Sequence, residues 1–222
     1  MMQAILMISL EQAMRSSHAP MSVSVIRKHE EKGLSLGLPL MQRAGRSAAD
    51  FIAQRFPKTG SVLVLIGPGN NGGDALVMGR LLSNEGFQVV GVMPHQATFA
   101  PEDAKRALEN WKAAGLTLLT DLPTERPDCV VDGFFGIGLT KPLRDPWQSM
   151  IDTVNEWHDE WQLPTLALDV PSGIDAETGQ CLGRPVQATW TLCFIAPTLA
   201  TAHPLVQHLF GEIHVATLDI PI

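Results

Sequence analysis

SVLVLIGPGNNGGD, running from Ser61 to Asp74, begins as an unbroken aliphatic, largely β-branched run and then turns abruptly to Gly, Pro and Asn. A short apolar run bounded by turn residues reads as a strand buried on both faces, the kind found in parallel sheets covered by helices. Gly67, Gly69 and Gly72 then satisfy G-x-G-x-x-G ahead of a helix predicted from about Gly73 to Asn84. Glycines let the backbone turn tightly and approach a phosphate. The amides of Asn71, Gly72, Gly73 and Asp74 would point at it from the helix N-terminus. The plainer alternative is a glycine-rich turn with Asn71 or Asp74 as the helix N-cap.

Upstream, Val23–Lys32 reads as a short helix. In Pro39–Phe56, Leu40, Met41, Ala44, Ala48, Phe51 and Ile52 recur at three- and four-residue spacings, giving an amphipathic helix closed by Pro57 and Gly60. Downstream, strands are expected at Gln88–Met93, Leu116–Leu119, the run DCVVD ending in Asp132, Thr165–Asp169, Thr189–Ile195 and Glu212–Leu218. Helices are expected at Pro101–Ala114 and Pro146–Trp161. This alternation predicts an α/β fold with a mostly parallel sheet, three-layer αβα and Rossmann-like. No linker divides residues 21–222, so a single domain is expected there. Residues 1–20 are expected to be a leader outside that domain, apolar from Met1 to Leu10 (MMQAILMISL) and without the basic start of a secretory signal.

The chain has 222 residues, with 16 Lys and Arg against 23 Asp and Glu, a formal net charge of −7. An acidic surface argues against nucleic acid. No apolar run approaches the roughly 18–20 residues that span a bilayer. Cys129, Cys181 and Cys193 are scattered and form no CxxC, as expected of reduced thiols in a cytoplasmic protein. The histidines lack zinc-ligand spacing.

Ligands of open α/β sheets bind beyond the carboxyl ends of the strands. Three unusual segments fall at such ends: GPGNNGGD (67–74), VDGFFGIGLTKPL (131–143) and DVPSGID (169–175). A dehydrogenase is disfavoured, because the second strand runs into Pro94, His95 and Gln96 without the acid that holds an adenosine ribose. A serine nucleophile is disfavoured too: Val170 and Ile174 stand where an elbow around Ser172 needs glycines. Hydroxyl and carboxylate oxygens suit a hard cation or sugar hydroxyls better. Asp132 and Asp169 close two parallel strands and could face each other across a crevice; helix capping or loop bracing is the structural alternative for both, and for Asp175.

Together GNNGGD, VDGFFGIGL and DVPSGIDAETG, with the helix GLPLMQRAGRSAADFI, resemble the NAD(P)H-hydrate epimerase family, the N-terminal domain of YjeF-type proteins, over about residues 21–222. That resemblance implies an isomerase interconverting the R and S forms of hydrated NADH and NADPH, which carry a hydroxyl at C6 of the nicotinamide ring. It implies a homodimer and a separate ATP- or ADP-dependent, S-specific dehydratase as functional partner, since the chain ends without that domain. Carried over by position, Asn70, Asn71, Gly72, Gly73 and Asp74 form the phosphate loop. The stretch Gly136, Ile137, Gly138, Leu139, Thr140, Lys141 and Pro142 lines the substrate, Asp169 contacts it as the catalytic group, and K+ is held by Asn71, Asp132 and Ser172. The chain departs from the family pattern at Ala75 (commonly Gly), at Thr198 (commonly Lys) and near Thr189 (commonly Asp). A non-catalytic nucleotide-binding or scaffolding module of the same fold is the alternative; the intact Asn71, Asp132, Asp169 and Ser172 favour catalysis.

Overall fold

The computed structural model describes residues 19–94 and 101–221. The leader, through residue 18, and the expected strand exit at His95 and Gln96 lie outside the described residues. Among the described residues, seven strands form one sheet in which every pairing is parallel. They are β1 (Ser61–Ile66), β2 (Gln88–Val92), β3 (Thr117–Leu119), β4 (Cys129–Gly133), β5 (Thr165–Leu168), β6 (Trp190–Phe194) and β7 (Glu212–Ala216). The helices are α1 (Val23–Ser35), α2 (Leu40–Ala53), α3 (Asn70–Asn84), α4 (Glu102–Ala113) and α5 (Trp147–Trp161), with 3₁₀ turns at Leu199–Ala202 and Gln207–Phe210.

Alternation along β1 builds the layers. Val62, Val64 and Ile66 join a core with residues of α1 to α4, whereas Leu63 and Leu65 join a second core under α5. Both faces of the strand are thus consumed by packing, which is why the run is apolar without a break. Most strands begin within a residue of their expected positions. The exception among helix starts is α3, which opens at Asn70 rather than Gly73, with Gly69 as N-cap and no side-chain cap bond.

Strand order is β3-β2-β1-β4-β5-β6-β7. The chain builds outward from β1 on one side, then crosses back to lay β4 against β1 on the other. Successive connections diverge between β1 and β4, so a crevice opens beyond their carboxyl ends, where open parallel sheets bind ligands. In register, Ile66 faces Gly133 and Asp132 faces Ala167. The three segments singled out in the sequence therefore leave the sheet side by side.

Helix α1 is fastened across that edge. Met21 N donates to Pro197 O (2.8 Å), Val23 N to Glu177 Oε2 (2.7 Å) and Lys32 Nζ to Pro221 O (2.5 Å). Ile26 buries its side chain beneath.

Candidate active site

A cleft of about 530 Å³ lies beyond the carboxyl ends of β1, β4, β5 and β6, a size that suits a small molecule. Its walls come from the loop and first turn after β1 (Pro68 to Asn71, and Asp74), the loop after β4 (Phe134 to Leu139), Asp169, Phe194, and Arg27 and Glu30 of α1.

The floor is set by a close backbone crossing. Gly67 N donates to Gly133 O (3.1 Å), and a Cβ on Gly67 would lie 1.6 Å from Phe134 O. One turn on, a Cβ on Gly72 would lie 1.9 Å from Gly67 O. Only hydrogen fits at either place. The glycines thus let helix α3 begin directly against the β1–β4 junction. Because α3 starts at Asn70, Gly73 N already donates to Gly69 O (3.2 Å). The amides left free by helix geometry are those of Gly69, Asn70, Asn71 and Gly72. The expected donors shift accordingly: Gly73 and Asp74 are excluded, and Gly69 and Asn70 join. Gly73 instead packs against Met41 and Ala104.

Asp132 is wholly buried. Its Oδ1 accepts from Phe134 N (3.2 Å) and Ser172 Oγ (2.7 Å), and its Oδ2 accepts from Ser172 N (2.8 Å). Ser172 Oγ also accepts from Phe135 N (2.9 Å), which ties the second loop to the third. Burial pushes the Asp132 carboxyl up to about 6 against the pull of these donors. Asn71 is buried as well, and neither Oδ1 nor Nδ2 has a hydrogen-bond partner. A Cβ on Gly136 would meet Asn71 Oδ1 at 3.3 Å and Asp169 Oδ2 at 2.7 Å, so that glycine is the gap through which the two side chains approach.

Asp169 sits at φ 68°, and Val170 N donates back to Leu168 O (2.8 Å). A positive φ bridged by that bond is a γ-turn of the rare, strained kind. The adjacent strand β6 ends the same way, with Ile195 at φ 70° and Ala196 N donating to Phe194 O (2.8 Å). Strain of this sort collects at functional sites. It turns the Asp169 carboxyl to accept from Ile137 N (3.0 Å). Burial raises that carboxyl to about 6, opposed by the Ile137 and Phe194 amides and by Arg27.

Other expected positions divide. Asn70, Asn71, Asp74, Gly136, Ile137, Gly138 and Leu139 line the cleft. Thr140 lines a neighbouring groove of about 370 Å³ that shares Arg27, Ile137 and Leu139 with it. Lys141 and Pro142 are exposed and line neither space, because the loop turns outward after Leu139. Asp175 braces its own loop, accepting from Glu177 N, Thr178 N and Thr178 Oγ. Thr189 lies before β6, at the opposite edge of the sheet, where its Oγ1 accepts from Thr165 N (3.1 Å), so the departure there touches no cleft residue. Thr198 is buried with an unpartnered Oγ1. Cys129 and Cys193 are buried and Cys181 is exposed; all three are free. Among the described residues, no group of three or more His, Cys, Asp or Glu is placed to hold a metal.

Four cleft residues escaped the sequence reading, Arg27, Glu30, Pro101 and Phe194. Arg27 and Glu30 belong to Val23–Lys32, which the sequence marks only as a short helix. The signal for them is the spacing Val23, Arg27, Glu30, one stripe of α1. That stripe borders the cleft or its adjoining groove.

A Rossmann-like α/β domain with an aromatic-walled cleft, a helix N-terminus and exchangeable carboxyls is a nucleotide-type small-molecule site equipped for proton transfer. The chain belongs to the YjeF_N family, the "YjeF-related protein N-terminus", which matches residues 37–200. It is 48% identical over 202 residues to an NAD(P)H-hydrate epimerase of Bordetella bronchiseptica, spanning 89% of this chain and 87% of that protein. An NAD(P)H-hydrate epimerase of Achromobacter xylosoxidans is 47% identical, over 82% of this chain and 86% of its own. A bifunctional NAD(P)H-hydrate repair enzyme of Leishmania major is 36% identical over 82% of this chain, which corresponds to 33% of that longer protein. The crystal structure of yeast ynu0 shares the fold, with a TM-score of 0.78 at 24% identity, covering 92% of this chain and 90% of that one.

Proposed function

We propose that this cleft interconverts the R and S epimers of hydrated NADH and NADPH. The protein is an isomerase of nicotinamide nucleotide repair. The observation that carries the reading is the Asp169 carboxyl: buried, poised near neutrality and held by a strained turn among Phe134, Phe135 and Phe194. Those rings suit a flat, largely apolar ring. The free amides at the start of α3 suit the phosphates.

The substrate carries a hydroxyl on C6, next to the ring nitrogen. The nitrogen lone pair can expel that hydroxyl, leaving a planar iminium to which water returns. Asp169 is placed to exchange a proton with the C6 oxygen, giving one to the hydroxyl that departs or taking one from water that returns on its side of the ring. No redox step is required.

Asn71, Asp132 and Ser172 are the residues that would hold K+. The donor set fits: a buried amide oxygen without a partner, a buried carboxylate bonded only to neutral donors, and a hydroxyl. When bound, the ion supplies a fixed positive charge beside an otherwise acidic cleft. The separated epimers should therefore interconvert at least about tenfold faster in potassium than in lithium. Potassium should also raise the melting temperature, as a ligand of the folded state does. In Ser172→Ala the potassium needed for both effects should rise. Equal rates in the two salts would remove the cation from the account.

Among the described residues no helix is long and apolar enough to cross a membrane. A cytoplasmic homodimer working alongside a separate dehydratase completes this reading.

A further inference from the structure

Epimerisation at one carbon sets a geometric problem that a single carboxyl does not solve. The iminium is planar, and an oxygen that leaves one face must return on the other. A side chain fixed in one wall reaches one face, unless the ring turns over while its phosphates stay anchored.

Building on the epimerase reading, we propose that Glu30 is a second catalytic residue, serving the face of C6 that Asp169 cannot reach. Both carboxyls line the same cleft but come from separate elements, Glu30 from α1 and Asp169 from the end of β5. Glu30 is half-buried, and among the described residues it forms no hydrogen bond or ion pair. A helix glutamate left unpaired in a cleft contributes nothing obvious to stability. Its helix is nevertheless pinned at both ends, by Pro197, Glu177 and Pro221, so the carboxyl rides on a rigid element rather than a loop.

The electrostatic surroundings agree. Burial, the charge of Asp169 and that of Glu31 push Glu30 up to about 7, with Arg27 opposing. Asp169 stands at about 6. Near neutrality one member can hold a proton while the other does not, the state an acid–base pair needs. Asp74, the third carboxyl here, is buried, and burial with the charges of Asp169 and Glu30 pushes it well above the ordinary carboxyl range.

The cycle balances. The carboxylic acid on one face gives its proton to the C6 hydroxyl, the C6–O bond breaks, water leaves, and the nitrogen lone pair becomes the C6=N bond. Water then adds to the other face, the π pair returns to nitrogen, and the second carboxylate takes the proton. The two carboxyls end with roles exchanged, ready for the reverse direction.

The test uses Glu30→Gln and Asp169→Asn in the full chain, with separated epimers in ¹⁸O-labelled water. Each variant should lose interconversion by about 100-fold or more. Each should still exchange the C6 hydroxyl of one epimer with solvent, Glu30→Gln on one and Asp169→Asn on the other. Glu30→Asp should restore part of the interconversion. A Glu30→Gln protein that epimerises within threefold of wild type would overturn the proposal. So would one that loses exchange on both epimers while melting like wild type. If Glu30→Gln does not fold, exchange by Glu30→Asp decides: slowed equally on both epimers, it also overturns the proposal; slowed on one alone, it supports it. Wild-type protein that neither exchanges nor epimerises would instead defeat the epimerase reading itself.

Discussion

Asp169→Asn should lower epimerisation by about 10²- to 10⁴-fold, the range that a positioned proton-transfer group contributes, while leaving the protein folded. The amide keeps an oxygen that can accept from Ile137 N, and asparagine tolerates a positive φ as well as aspartate does. Stability should even improve near neutrality. In the folded chain the carboxyl is raised to about 6 from 3.8, so the native state holds its proton more tightly than the unfolded chain. That binding stabilises the protein fully below about pH 4 and is lost as pH climbs through 6. Wild type thus forfeits up to about 3 kcal/mol across this window, and the asparagine variant does not. At pH 7.5 the variant should melt at or above wild type, with the gap closing toward pH 4. A variant that keeps its turnover removes Asp169 from the chemistry. One that melts far below wild type at pH 7.5 contradicts the burial argument.

Gly67→Ala should be the most damaging small substitution in the crevice. The added methyl would sit 1.6 Å from Phe134 O and 2.5 Å from its carbonyl carbon. Those are main-chain atoms held by the Gly67–Gly133 bond, so no rotamer change relieves the overlap. Either the β1–β4 junction separates or the loop is expelled, at an expected loss above about 4 kcal/mol. Gly69→Ala is the control for stability. Nothing lies within 4 Å of a Cβ there and its φ is −105°, so chemical denaturation should give a midpoint close to wild type. A Gly67→Ala protein as stable as Gly69→Ala would mean that the strand–helix junction is looser than described.

These two expectations rest on different levels of the sequence. The strands were legible because burial on both faces leaves no choice of residue: SVLVLI and DCVVD can hardly be anything else in a chain of this composition. Parallel order then forces their exits onto one edge, so the three loops and Asp132, Asp169 and Ser172 could be placed together without coordinates. The start of α3 was not legible. Asn70, Asn71, Gly72 and Gly73 are poor helix formers, and local propensity places them in a loop. Packing overrides it, because Gly72 rests on Gly67 and Gly73 on α2 and α4. Arg27 and Glu30 were missed for the opposite reason. Their helix follows its local pattern well, and nothing in one turn of sequence says that it lies over a crevice built by residues from about 40 to more than 160 positions away. The outward turn after Leu139, which leaves Lys141 and Pro142 exposed, is a loop trajectory that composition does not encode.

The most direct trial supplies mixed hydrates to an S-specific dehydratase and follows recovery of reduced nicotinamide absorbance, with potassium present. Alone, the dehydratase consumes the S fraction quickly and then stalls at the slow spontaneous rate. With this protein added, recovery should run to completion in a single phase. A stall at the same fraction, unchanged as the protein is increased, would mean that the carboxyls beyond β5 and on α1 serve some other chemistry.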